Sequence, residues 1–145
     1  MSPAHAFGAE ADIDAPVEQV WALLTDWSRT QEWMRSVDYV RAEGPTQVGA
    51  ALVFHARGQE RPARIVECVP QQLLTLRSVQ GGVTADYRYV VRPMPDGTTR
   101  ALLLADCATE GMWWTLVAPA FRAAMRRSDS GQLDELKRVV ERSPG

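Results

Sequence analysis

Asp12-Ile13-Asp14-Ala15-Pro16-Val17-Glu18-Gln19-Val20-Trp21-Ala22-Leu23-Leu24-Thr25-Asp26-Trp27 constrains this chain more than any other stretch. It reads as a strand that stops at a proline and turns directly into an amphipathic helix. Pro16 suits the first helical turn, where its missing N–H costs nothing. Val17, Val20, Trp21 and Leu24 fall at i, i+3, i+4 and i+7, one helical stripe. Most of the chain beyond this stretch is strand-like. A short helical insertion after the first strand of a sheet leaves few architectures open.

The rest of the chain supplies the other elements. Residues 6–14 alternate as a first strand, and residues 16–25 form the helix. Asp26, Ser28 and Thr30 can cap a second short helix over residues 29–34. The period then shortens to that of strands over residues 37–41, 51–57, 61–69, 73–79, 83–92 and 98–109. Gly44-Pro45, Gly58-Gln59-Glu60, Pro70, Gly81-Gly82 and Asp96-Gly97 punctuate them, the Asp-Gly pair being a strong hairpin signal. Gly111-Met112-Trp113-Trp114 is a junction. From about residue 119 to residue 142 the pattern is helical, with Phe121, Met125, Leu133, Leu136, Val139 and Val140 broadly on one side. Ser130-Gly131 weakens its middle, since an interior Gly costs roughly 1 kcal/mol relative to Ala. Six consecutive strands with short connections predict sequential antiparallel pairing. Such a meander wraps most simply around the terminal helix and leaves a cavity between them.

Composition narrows the function classes. A chain of 145 residues suits one domain over residues 1–145. A net charge of −2 argues against a nucleic-acid partner. No apolar run has the length of a membrane span, and Met1-Ser2-Pro3-Ala4-His5 lacks the pattern of a secretory signal. Cys68 and Cys107 lie in strands without metal-ligand spacing, and His5 and His55 are isolated, so no metal site is expected. Reduced thiols and a cytoplasmic location are the expectation, with a Cys68–Cys107 disulfide as the minor alternative. Neither a phosphate loop nor a dinucleotide fingerprint is present, and no cofactor is expected.

With these elements the chain resembles the START-like (SRPBCC) superfamily, the helix-grip group of polyketide cyclase/dehydrase and lipid-transport proteins. The resemblance spans nearly the whole chain. Its most specific parts are residues 13–26, Trp33 closing the second helix, Val66-Glu67-Cys68-Val69-Pro70-Gln71-Gln72-Leu73-Leu74, Asp96-Gly97-Thr98-Thr99-Arg100 and residues 133–141. It implies an α+β fold: a seven-stranded antiparallel sheet wrapped around a long C-terminal helix, with two short helices between strands 1 and 2. It also implies a cavity between sheet and helix, open at one end, for small apolar molecules. These motifs specify a fold and leave the activity open.

Candidate ligand-binding residues for that cavity are Trp33, Phe54, Tyr87, Tyr89, Trp113, Trp114, Phe121 and Met125, each of which also suits a plain core. Period two puts Tyr87, Tyr89 and Val91 on one strand face and Asp86, Arg88 and Arg92 on the other. It likewise sets Leu52, Phe54 and Ala56 opposite Val53, His55 and Arg57, so His55 and Arg57 are expected to face solvent. With the opposite phase, His55 becomes the best general acid or base in the chain. The weak catalytic candidates are therefore His55, Tyr87, Tyr89 and Asp106. Asp106, within an apolar strand, is expected to face the surface and pair with an Arg such as Arg88.

Three functions fit. The first is binding of a small hydrophobic or aromatic molecule. The second is a cyclase, aromatase or dehydratase acting on a polyketide-like chain, with cavity Tyr, Trp, His, Arg or Asp side chains moving protons. The third is a co-chaperone-like interaction module, which an exposed Trp113-Trp114 would favour. A homodimer through a sheet edge stays open as well.

Overall fold

The computed structural model of the protein describes residues 4–142, with side chains from Ala6 onward. Residues 1–3 of the N-terminal segment read as non-secretory and the helix stop at residues 143–145 lie outside the described residues, as does the His5 side chain. β1 (Ala4–Ile13) leads through Pro16 into α1 (Val17–Leu24). Pro16 is extended, with φ −69° and ψ 156°, and its carbonyl accepts from Gln19 and Val20. A 3-10 turn, Trp27–Glu32, follows. Asp26 caps it by accepting from the Ser28 N–H at 3.2 Å and the Ser28 hydroxyl at 2.5 Å.

The meander is β2 (Tyr39–Glu43), β3 (Ala51–Ala56), β4 (Gln59–Val69), β5 (Leu73–Gln80), β6 (Val83–Pro93) and β7 (Thr99–Thr109). The strands form one antiparallel sheet in the order β1-β7-β6-β5-β4-β3-β2. The six later strands pair in sequence, and β1 adds beside β7, so β1 and β2 are the two edges. Between them, the α1 segment carries the chain across the sheet. At the β6–β7 hairpin, the Asp96 carboxylate accepts from the Thr98 N–H and hydroxyl, and Gly97 takes φ 87°.

The terminal helix differs from its expected form in two ways. It begins at Met112, ahead of Pro119, and it divides into α2 (Met112–Asp129) and α3 (Gln132–Arg142). Pro119 sits inside α2, where it removes the bond to the Thr115 carbonyl. Thr115 and Pro119 are both exposed, so water can serve that carbonyl. The division falls at Ser130-Gly131, where helix propensity is poorest.

The two halves pack differently. α3 buries Gln132, Leu133, Leu136, Val139 and Val140 against the sheet and α1. With Ile13, Val20, Leu24, Trp33 and Leu103, the four apolar ones make the core. α2 buries only Ala118.

Candidate functional site

Because α2 does not fill the space over the sheet, a cavity of about 550 Å³ remains there. Phe54 and Ala56 from β3, Ala63 from β4, Leu76 from β5, and Val83, Ala85, Tyr87 and Tyr89 from β6 form its floor. Phe121, Ala124, Met125 and Ser128 of α2 form its roof. The alternation of β6 sends Tyr87 and Tyr89 to the same face. At one end, the Trp114 indole lies over Gly81 and Gly82 and is 5.9 Å from the Phe121 ring. The volume is that of a pocket for a small organic molecule, mostly apolar with a few fixed polar groups.

Those polar groups form one network. The Tyr87 hydroxyl donates to the Asp129 carboxylate. Gln132 Nε2 donates to Asp129 Oδ1 at 3.1 Å, and the buried Tyr89 hydroxyl donates to Gln132 Oε1 at 2.6 Å. The break in the terminal helix makes this possible: Asp129 ends α2 and Gln132 starts α3, so both turn toward β6. Burial raises the Asp129 carboxyl above the usual carboxylate range, although the bonds from Tyr87 and Gln132 and the fields of Arg61 and Arg57 oppose that rise. Burial and the neighbouring Asp129 hold both phenols above their ordinary range. The site therefore offers phenol O–H groups and a buried carboxyl whose pKa is raised.

Arg57 and Arg61 add positive charge to the lining. Both are exposed, as are Gln80 and Gly81, which marks where the cavity meets solvent. Arg57 departs from the expectation that it faces away with His55. Its φ is 54°, so the alternation of β3 ends at Ala56 and does not govern Arg57.

The profile of the family described as Polyketide cyclase / dehydrase and lipid transport matches residues 4–141. The chain belongs to the polyketide cyclase/dehydrase and lipid-transport family. Its fold is shared by the Zhui aromatase/cyclase from Streptomyces sp. R1128, with 18% identity, a TM-score of 0.76 and coverage of 97% of this chain and 95% of that one. TTHA0849 from Thermus thermophilus matches at 17% identity and a TM-score of 0.73, covering 99% and 100% of the two chains. Norcoclaurine synthase from Thalictrum flavum, solved with dopamine and hydroxybenzaldehyde, matches at 12% identity and a TM-score of 0.70, covering 96% and 87%. No curated protein sequence matches the chain.

For a member of the polyketide cyclase/dehydrase and lipid-transport family, the residues singled out from sequence divide clearly. Phe54, Tyr87, Tyr89, Trp114, Phe121 and Met125 line the cavity. Trp33 does not, which corrects its expected place on the wall. It is 1% exposed and stands edge-on behind Tyr89, with ring centroids 5.9 Å apart. Trp113 is corrected too: it is 67% exposed, one helical step round from the packed Trp114. His55 lies on the outer face, with Nδ1 3.1 Å from Asp38 and its ring stacked on Tyr39. Asp106 is also on the outer face, opposite Asp86. Arg88 pairs with Glu67 at 2.7 Å. Both cysteines are free thiols.

Sequence reasoning missed Asp129, Gln132, Arg57 and Arg61 as site residues. The signal for the first two was the Ser130-Gly131 interruption; for Arg57 it was the adjacent Gly58 turn. Among the described residues, no helix is long and apolar enough to cross a membrane, and no group of three or more His, Cys, Asp or Glu is placed to hold a metal.

Proposed function

We propose that the protein binds a small hydrophobic or aromatic molecule between the sheet and α2. The observation that carries this reading is the contrast between the two helices: α3 packs the sheet tightly, whereas α2 leaves a 550 Å³ space walled by Phe54, Tyr87, Trp114 and Phe121. The small aromatic compounds bound by norcoclaurine synthase belong to the same class. Ala85→Phe tests it, because Ala85 lines the cavity without belonging to the polar network. Added volume there should weaken binding of planar aromatic compounds at least about tenfold, read by quenching of tryptophan fluorescence. Wild-type affinity in Ala85→Phe would place the binding elsewhere.

A second reading is favoured by Asp129. A carboxyl whose pKa burial pushes up, beside a phenol in an apolar cavity, suits general acid catalysis. In a cyclase-type reaction the cavity would fold a poly-β-keto chain so that one carbon attacks another carbonyl. Asp129 would protonate the developing alkoxide and, as the carboxylate, take back the proton that the attacking enol releases; it would then protonate the departing hydroxyl, which leaves as water, and take up the α-proton as the double bond forms. The required form of Asp129 is the protonated one. Activity should therefore fall as pH rises through its raised pKa, and Asp129→Asn should remove turnover of such a substrate while the aromatic probe still binds. Unchanged turnover in Asp129→Asn would exclude this role.

A further inference from the structure

Charge is unevenly placed around the cavity. The charged lining residues are Arg57, Arg61 and Asp129. Asp129 lies inside, with its oxygens committed to Tyr87 and Gln132. The two arginines stand exposed at the rim, Arg57 in the two-residue turn between β3 and β4 and Arg61 near the start of β4. Neither takes part in an ion pair among the described residues, and nearby Glu60 is instead 3.9 Å from Arg41. A chain with a net charge of −2 thus concentrates unpaired positive charge at its cavity mouth.

The turn itself points the same way. Arg57 and Gly58 have φ 54° and 77°, the two left-handed positions of a type I′ turn. The first of these is ordinarily Asn, Asp or Gly. Arg57 occupies it against backbone preference, and it lines the cavity instead of the outer face. Local rules broken without a structural return concentrate at functional sites.

We propose that Arg57 and Arg61 form an anion clamp, so that the ligand is an amphipathic acid with its apolar ring system in the cavity and its oxyanion at the rim. The planar guanidinium fork matches a carboxylate or phosphoryl group through paired N–H donors. This inference rests on the cavity being a ligand site and adds the chemical class of the ligand.

The test compares 6-hydroxy-2-naphthoate, its neutral methyl ester and 2-naphthyl phosphate, by calorimetry at low salt. The proteins are wild type, Arg57→Gln, Arg61→Gln and the double variant. The wild type should bind the acid about tenfold more tightly than the ester, and the double variant should lose that preference. Ester affinity should stay within about twofold throughout, which also reports an intact cavity. Tighter binding of 2-naphthyl phosphate than of the carboxylate assigns the clamp to phosphoryl groups, and the reverse order assigns it to carboxylates. Equal binding of acid and ester by the wild type, or a preference that survives in the double variant, overturns the clamp. If none of the three binds, the cavity reading itself fails and the clamp with it.

Discussion

Trp33→Ala will lower the unfolding free energy by about 3–5 kcal/mol, the range for truncating a fully buried large aromatic side chain. Trp33 is 1% exposed and closes the 3-10 turn, its N–H donating to the Thr30 carbonyl at 3.1 Å. Its ring meets Tyr89 edge-on, at an interplanar angle of 89°. Removing it opens a void behind Tyr89 that a β-strand cannot close without moving its neighbours. The effect extends to the site, because Tyr89 holds Gln132 and Gln132 holds Asp129. Trp33→Phe should be much milder. The indole Nε1 is buried with no hydrogen-bond partner among the described residues, and deleting a buried unsatisfied donor recovers about 1–3 kcal/mol against the lost volume. Urea unfolding of the two variants checks both parts. A loss below about 1 kcal/mol for Trp33→Ala would contradict the packing described for the 3-10 turn.

The same residue shows which levels of organisation the sequence carries. Hydrophobic periodicity reports burial, so Trp33 was identifiable as an inward residue. It does not report which side of Tyr89 the ring occupies, and that distinction separates cavity wall from core. Elements were legible wherever backbone chemistry is local. Pro16 ends the first strand, Asp96-Gly97 makes the last hairpin, and period two places Tyr87 and Tyr89 together. The seven antiparallel strands and the terminal helix follow from such signals.

The polar half of the site was hidden for a physical reason. On a helix, a polar residue is normally read as solvent-facing, and Asp129 and Gln132 flank the one place where the helix axis breaks. Their inward direction depends on that break, which helical periodicity cannot represent. Arg57 escapes for a related reason: strand alternation does not extend beyond Ala56, where the chain enters a left-handed turn. Pro119 misleads in the opposite direction. Its chemistry suits a helix start, yet an exposed helix face tolerates it in the interior.

Gly82→Ala will destabilise the protein by about 1–3 kcal/mol, the range for overpacking. A Cβ at Gly82 would lie 2.2 Å from Trp114 Cδ1 and 2.4 Å from the Glu110 carbonyl oxygen. The first atom can move with its side chain. The second is backbone, and the adjoining Glu110 N–H donates to the Gly82 carbonyl at 2.8 Å. The β5–β6 turn is thereby fastened to the junction of β7 and α2. Gly81→Ala differs: the atoms nearest its Cβ would be those of the Trp114 ring, at 2.7 Å, but its φ of 60° adds backbone strain. Combining each change with Trp114→Ala separates the causes. The indole's removal should reduce the cost of Gly81→Ala to the left-handed backbone penalty, about 1–2 kcal/mol. It should rescue Gly82→Ala only in part, since the clash with Glu110 persists. Full rescue of Gly82→Ala would mean that the two strand ends are held apart from each other and that the indole alone joins them. Because Gly81 and Trp114 both line the cavity, a displaced indole should also speed ligand dissociation from Gly82→Ala, linking this contact to access as well as to stability.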